Sequence, residues 1–131
     1  VTAAASVRGL CADVWREQVL SGIGCLQRGQ WLCQDSLRSP SGRFTLSHLP
    51  DGELQLTGDD GQVHWAVGSA GIPAGGLTLM PDGDLVLYDA HDWPVWSSGT
   101  AGVPTEWLLV TDDAALVLLD SSCRVRWRLG G

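Results

Sequence analysis

The chain has 131 residues, 17 of them Gly, with eight Lys plus Arg against fifteen Asp plus Glu and a formal net charge of −7. That length suits one domain with a modest core, and the acidic balance repels both nucleic-acid phosphates and anionic membrane surfaces, so neither is an expected partner. No apolar run approaches the roughly 20 residues of a membrane-spanning helix. All the cations are Arg, and Lys and Asn are absent. Codon bias in a GC-rich bacterial genome would produce that.

Residues 1–19 form an N-terminal extension. Within it Val7, Leu10, Cys11 and Val14 follow helical spacing, and Ser6 is placed to cap. The opening Val1-Thr2-Ala3-Ala4-Ala5-Ser6 reads as a mature terminus left after an export signal is removed, which predicts a secreted protein. Ser21-Gly22 and Gly24 then break the chain. The segment from Cys25 to Cys33 is symmetric about Gly29 and predicts a hairpin with its two Cys opposite each other. Four Cys in a small domain favour disulfides, here Cys25–Cys33 and Cys11–Cys123. A zinc site is the competing reading, but there is no C-x-x-C pair and the three His lie far from the Cys in sequence. No metal and no cofactor are expected.

From Phe44 onward the chain repeats every 31 residues. Asp51, Asp82 and Asp113 keep that step, as do the pairs Leu54/Leu56, Leu85/Leu87 and Leu116/Leu118 and the indoles Trp65, Trp96 and Trp127. The middle copy is the clearest. A strand ends at Met80, Pro81-Asp82-Gly83 turns, and a second strand alternates with Leu85 and Leu87 on one face and Asp84, Val86 and Tyr88 on the other. A period of this size marks a supersecondary unit that must bury its apolar face against its own copies. Each unit holds roughly four strands' worth of chain. Six Leu and three Trp then converge on one core, each fully buried large side chain contributing about 1.5–3 kcal/mol. Trp93 is expected exposed, and His48, His64 and His91 are expected at the surface. The last strand must close its own sheet or exchange with a second copy, which would make a homodimer.

Asp82-Gly83-Asp84-Leu85-Val86-Leu87-Tyr88-Asp89, with Val95-Trp96-Ser97-Ser98-Gly99-Thr100 and partial echoes at 51–65 and 113–127, resembles the bulb-type lectins, the monocot mannose-binding family. Leu37 to Leu46 is similar to that family's lead-in, and the similarity covers roughly residues 20–131. It implies an all-β fold, a β-prism II of three four-stranded antiparallel sheets around a pseudo-threefold axis. It also implies a carbohydrate-binding module for mannose or mannose-containing glycans, using a motif Gln-x-Asp-x-Asn-x-Val-x-Tyr once per sheet. Carried over, the motif falls on Met80, Asp82, Asp84, Val86 and Tyr88, with three of five positions kept. The weaker candidates are Asp51, Glu53 and Gln55 in the first repeat, and Asp113 and Val117 in the third. Amides donate and accept, as sugar hydroxyls do, so Met80 and Asp84 are the departures that matter.

No nucleophile elbow, phosphate-binding Gly loop or metal-ligand cluster occurs, and neighbouring carboxylates on one hairpin do not flank a glycosidic bond. The expectation is binding without catalysis. The alternative is a lectin-fold scaffold that has lost sugar binding and meets a protein partner, as an inhibitor or antimicrobial.

Overall fold

The computed structural model describes residues 25–130. The described residues form twelve strands, in chain order β1 (Cys25–Gln27), β2 (Trp31–Leu32), β3 (Ser36–Arg38), β4 (Phe44–His48), β5 (Leu54–Gly58), β6 (Val63–Ala66), β7 (Ala74–Leu79), β8 (Leu85–Asp89), β9 (Pro94–Ser97), β10 (Trp107–Val110), β11 (Ala115–Leu119) and β12 (Val125–Gly130). They build three four-stranded antiparallel sheets, ordered β3-β4-β5-β6, β2-β7-β8-β9 and β1-β10-β11-β12. We call these the first, second and third sheets after the repeats that dominate them. The architecture is all-β, a β-prism II, as expected.

Each repeat supplies three strands rather than four. The fourth strand of every sheet comes from residues 25–38, which visit the three sheets in turn: β1 pairs with β10, β2 with β7 and β3 with β4. This overturns the Cys25–Cys33 hairpin. The turn at Gly29 carries the chain from one sheet to the next, so Cys25 pairs with Leu109 while Cys33 lies over Gly76, and both thiols are free. Burial pushes the Cys25 thiol up to about 12. The Cys11–Cys123 pairing and the helical spacing at 7–14 fall on residues outside the described ones.

The last strand closes its own sheet, β12 running antiparallel to β11. Between its third and fourth strands each sheet carries a register shift, at Leu56/Thr57, Leu87/Tyr88 and Leu118/Leu119, so the irregularity itself keeps the 31-residue period. A bulge there bends the outer strand and sets an indole opposite each inner Leu: Trp65 on Leu56, Trp96 on Leu87, Trp127 on Leu118.

The core is leucine. Leu46, Leu54, Leu56, Leu77, Leu79, Leu85, Leu87, Leu108, Leu116 and Leu118 are buried in one cluster drawn from all three sheets. The three indoles meet edge to face against it, with ring centroids 5.3 Å apart for Trp65–Trp96 and 6.3 Å for Trp96–Trp127. They are half-buried rather than central. The reason is their place on β6, β9 and β12, which end their sheets and are largely exposed.

His48, expected at the surface, is 2% exposed. It ends β4 facing inward, its Nδ1 accepts the Gln34 N–H at 2.9 Å, and its Nε2 has no hydrogen-bond partner among the described residues. Burial lowers its affinity for a proton below the ordinary His value. The unfolded chain therefore takes up a proton near pH 6.5 that the folded chain refuses, so this contribution to stability is present above that pH and lost below it. Urea midpoints should fall between pH 7.5 and 5.5. In His48→Asn, which keeps an acceptor for Gln34 and does not titrate, the fall should shrink. An unchanged pH slope in that variant would assign the effect elsewhere.

Candidate ligand-binding site

The site is built on the β7–β8 turn. Pro81 sets φ for the first turn position, and Gly83 N–H closes the turn on Met80 O at 2.9 Å. Gly83 adopts φ of +97°, and a Cβ there would lie 1.9 Å from the Val103 carbonyl oxygen. Its own carbonyl accepts two buried hydroxyls, Thr100 Oγ1 at 2.8 Å and Thr105 Oγ1 at 2.9 Å. Asp82 Oδ1 accepts the Asp84 N–H at 3.0 Å, the local bond that makes Asp a turn residue.

Asp84 does more than face outward. Its Oδ1 accepts Ser98 Oγ at 3.1 Å, Gly99 N–H at 3.1 Å and Thr100 N–H at 3.2 Å, tying the hairpin to the loop that follows β9. Among the described residues, Oδ2 of both Asp82 and Asp84 makes no hydrogen bond. Beyond them the outer face continues through Val86 and Tyr88. The Tyr88 hydroxyl approaches Met80 Sδ at 3.9 Å, a diagonal that spans the Thr78–Val86 pair, and Val86 is only 6% exposed. The five motif positions therefore do come together on one side of one hairpin.

A residue that sequence reasoning left unplaced completes this face. Trp31 on β2 is 54% exposed and its ring lies 5.9 Å from that of Tyr88. It gets there because Gly76 separates them: a Cβ on Gly76 would stand 2.9 Å from the Trp31 ring and 2.8 Å from Cys33 Sγ. Trp31 and Tyr88 wall a recess of about 340 Å³ floored by Gly75 and Gly76, with Asp89 and Asp92 on its rim.

The other two sheets do not reproduce the arrangement. In the first, Asp51 Oδ1 accepts the Glu53 N–H at 3.0 Å, and Glu53 Oε1 accepts Gly68 N–H at 2.9 Å, Ser69 N–H at 3.1 Å and Ser69 Oγ at 3.3 Å. Glu53 is thus a tether like Asp84, beside half-exposed Gln55 and Thr57. In the third, Asp113 is held by the Thr111 hydroxyl and by an ion pair with Arg128. The Thr111 bond first, then Arg128, keeps its carboxyl below the ordinary value. Ala115 and Val117 are fully buried, so Val117 presents no methyl patch to a ligand.

No protein-family model and no curated protein sequence matches the chain. Solved structures do. A Japanese Marasmius oreades lectin superposes with a TM-score of 0.74 at 27% identity, over 81% of this chain and 89% of that one. A monomeric monocot mannose-binding lectin from Gastrodia elata gives 0.70 at 27% identity, over 80% and 94%. The mannose-specific agglutinin of snowdrop (Galanthus nivalis) bulbs, complexed with methyl-α-D-mannoside, gives 0.65 at 26% identity, over 79% and 93%. The chain has the bulb-type lectin fold.

In this lectin fold the signal for the tethers lay in the repeat itself. Gly52/Gly83, Glu53/Asp84 and Ser69/Thr100 all keep the 31-residue step, and Ser69 Oγ bonds Gly52 O at 2.8 Å just as Thr100 bonds Gly83. Trp31 carries no such signal, because β2 has no repeat copy.

Proposed function

We propose that the protein is a secreted carbohydrate-binding module of the mannose-lectin type, working through one face, the outer side of the second sheet. The observation that carries this reading is the convergence of Met80, Asp82, Asp84, Val86 and Tyr88 on that face, with three motif residues retained. Asp82 Oδ2, Asp84 Oδ2 and the Tyr88 hydroxyl are the groups that meet sugar hydroxyls. The Trp31–Tyr88 wall supplies an apolar surface for the C–H face of a ring, which offsets the near-burial of Val86. Likeness to lectins described with mannosides supports mannose as the first ligand to try. The module binds and does not catalyse, and a single shallow site gains strength through multivalent display.

Titration calorimetry with methyl-α-D-mannoside tests this. Weak saturable binding is expected, with Tyr88→Phe weakened about 2- to 10-fold, the range of one hydrogen bond worth about 0.5–1.5 kcal/mol. Absence of binding across a glycan array by folded protein would replace this reading with the scaffold that meets a protein partner.

A further inference from the structure

The recess beside Tyr88 comes from one glycine. Where the second sheet pairs Gly76 with Tyr88, the first pairs Thr45 with Thr57 and the third pairs Trp107 with Leu119. A side chain at 76 would fill the space, since even a Cβ would stand 2.9 Å from the Trp31 ring. What is left is a cavity of about 340 Å³ walled by two aromatic rings whose centroids lie 5.9 Å apart. Asp89 and Asp92 also line it. Asp89 Oδ1 holds the β8–β9 turn by accepting the His91 N–H at 2.8 Å and the Trp93 N–H at 3.0 Å, while its Oδ2 makes no hydrogen bond among the described residues.

The face that runs from this cavity to the β7–β8 turn accepts far more than it donates. Met80 and Asp84 stand where the family motif has amides, and neither donates. The Thr78 hydroxyl is spent on the Gln30 carbonyl at 2.8 Å. Positive charge is missing as well. The chain has no Lys and residues 44–123 contain no Arg, so the second sheet and its turns carry Asp82, Asp84, Asp89 and Asp92 against His91. Arg28, on the turn that leads into β2, is paired with Glu106 at 2.9 Å.

We propose that the recess is a subsite for a protonated amino group, so that the glycan preferred by this face carries a free amino sugar. The proposal rests on the sugar-binding reading of the same face and names its ligand class. An ammonium offers three donors and needs only acceptors, which is what the face presents. Carboxylates make the charge-assisted form of that bond, about twice as strong as a neutral one. The indole of Trp31 and the phenol of Tyr88 attract a cation through their ring faces, and the same rings cover the C–H face of the sugar. A neutral hydroxyl gains only the acceptors. An N-acetyl group has no charge to offer and turns a carbonyl oxygen toward carboxylates.

Titration calorimetry on the full chain tests this with the methyl glycosides of mannosamine and glucosamine, their N-acetyl forms, methyl-α-D-mannoside, and Nα-acetyl-lysine amide as an ammonium without a sugar ring. At least one free-amine glycoside should bind about 10-fold or more tighter than its N-acetyl form and than the lysine derivative. In Asp89→Asn/Asp92→Asn that preference should vanish. Asn keeps an oxygen for the turn at 89 and tolerates the φ of +63° at 92. Mannoside binding with no preference for the amine would sink the subsite and leave the mannose reading standing. Silence from every sugar would remove both. Amine binding without mannoside binding would keep the subsite and replace mannose as the ligand. Lysine derivative bound as tightly as the amino sugars would make this a site for basic peptides and overturn the assignment, as would a folded double variant that keeps the preference. Should the double variant fail to fold, the comparison of free and acetylated amines on the native chain still decides.

Discussion

Gly83→Ala is expected to cost about 3 kcal/mol or more, a large share of the roughly 5–15 kcal/mol that holds a domain of this kind together. Two costs add. The φ of +97° is one that an L side chain rarely adopts, worth about 1–2 kcal/mol. The new methyl would also stand 1.9 Å from the Val103 carbonyl oxygen, a backbone atom that cannot rotate away. Relief by moving residue 83 is blocked, because its carbonyl is pinned by Thr100 and Thr105, and losing each of those bonds costs about 0.5–1.5 kcal/mol. Gly99→Ala is the control. Gly99 has φ of +74° with nothing within 4 Å of a Cβ, so it should lose only the conformational part, about 1–2 kcal/mol. Urea denaturation of both variants separates strain from collision, and equal losses would mean the loop at Val103 yields freely. Since Asp82 and Asp84 flank Gly83, its variant should also lose ligand binding while Gly99→Ala keeps it.

The same hairpin shows what the sequence made legible and what it did not. The 31-residue step at Asp82, Leu85, Leu87 and Trp96 foretold the three sheets, the inward leucines and the meeting of the indoles, because each is enforced locally by alternation or by a repeated contact. The strands β1, β2 and β3 were invisible as such. Each is two or three residues long, too short for periodicity, and exists only because a different sheet offers it an edge. The symmetry about Gly29 therefore looked like a hairpin when the turn leads from one sheet to another. His48 was misplaced for a related reason: its burial comes from its inward register on β4, and a lone His carries no mark of that.

At the site, the positions were legible and their duties were not. Asp84 and Glu53 stand where the motif has Asn, and both have an oxygen committed to the loop 14–16 residues downstream. An acid there accepts several converging N–H and O–H donors more strongly than an amide oxygen would. It cannot donate, however, so each acid strengthens the prism and narrows what a sugar can be offered.

Among the three indoles, the largest loss on truncation is expected for Trp96→Ala. Trp96 touches both other indoles, at 5.3 Å and 6.3 Å, and packs across from Leu87, whereas among the described residues Trp65 and Trp127 each meet one aromatic ring in this way, that of Trp96 itself. Truncating a large aromatic costs about 3–5 kcal/mol, and since Trp96 is only partly buried the lower end applies to its area. Each edge-to-face contact adds about 0.5–1.5 kcal/mol, so Trp96→Ala should exceed Trp65→Ala and Trp127→Ala by about that amount. Urea unfolding of the three variants measures the order. The double variant Trp65→Ala/Trp96→Ala should lose less than the sum of its parts, because the first substitution already removes a contact the second would break. Three equal and additive losses would mean that the indoles lid their own sheets separately. The unequal, non-additive pattern would mean that one indole joins the three repeats into a single cooperative unit.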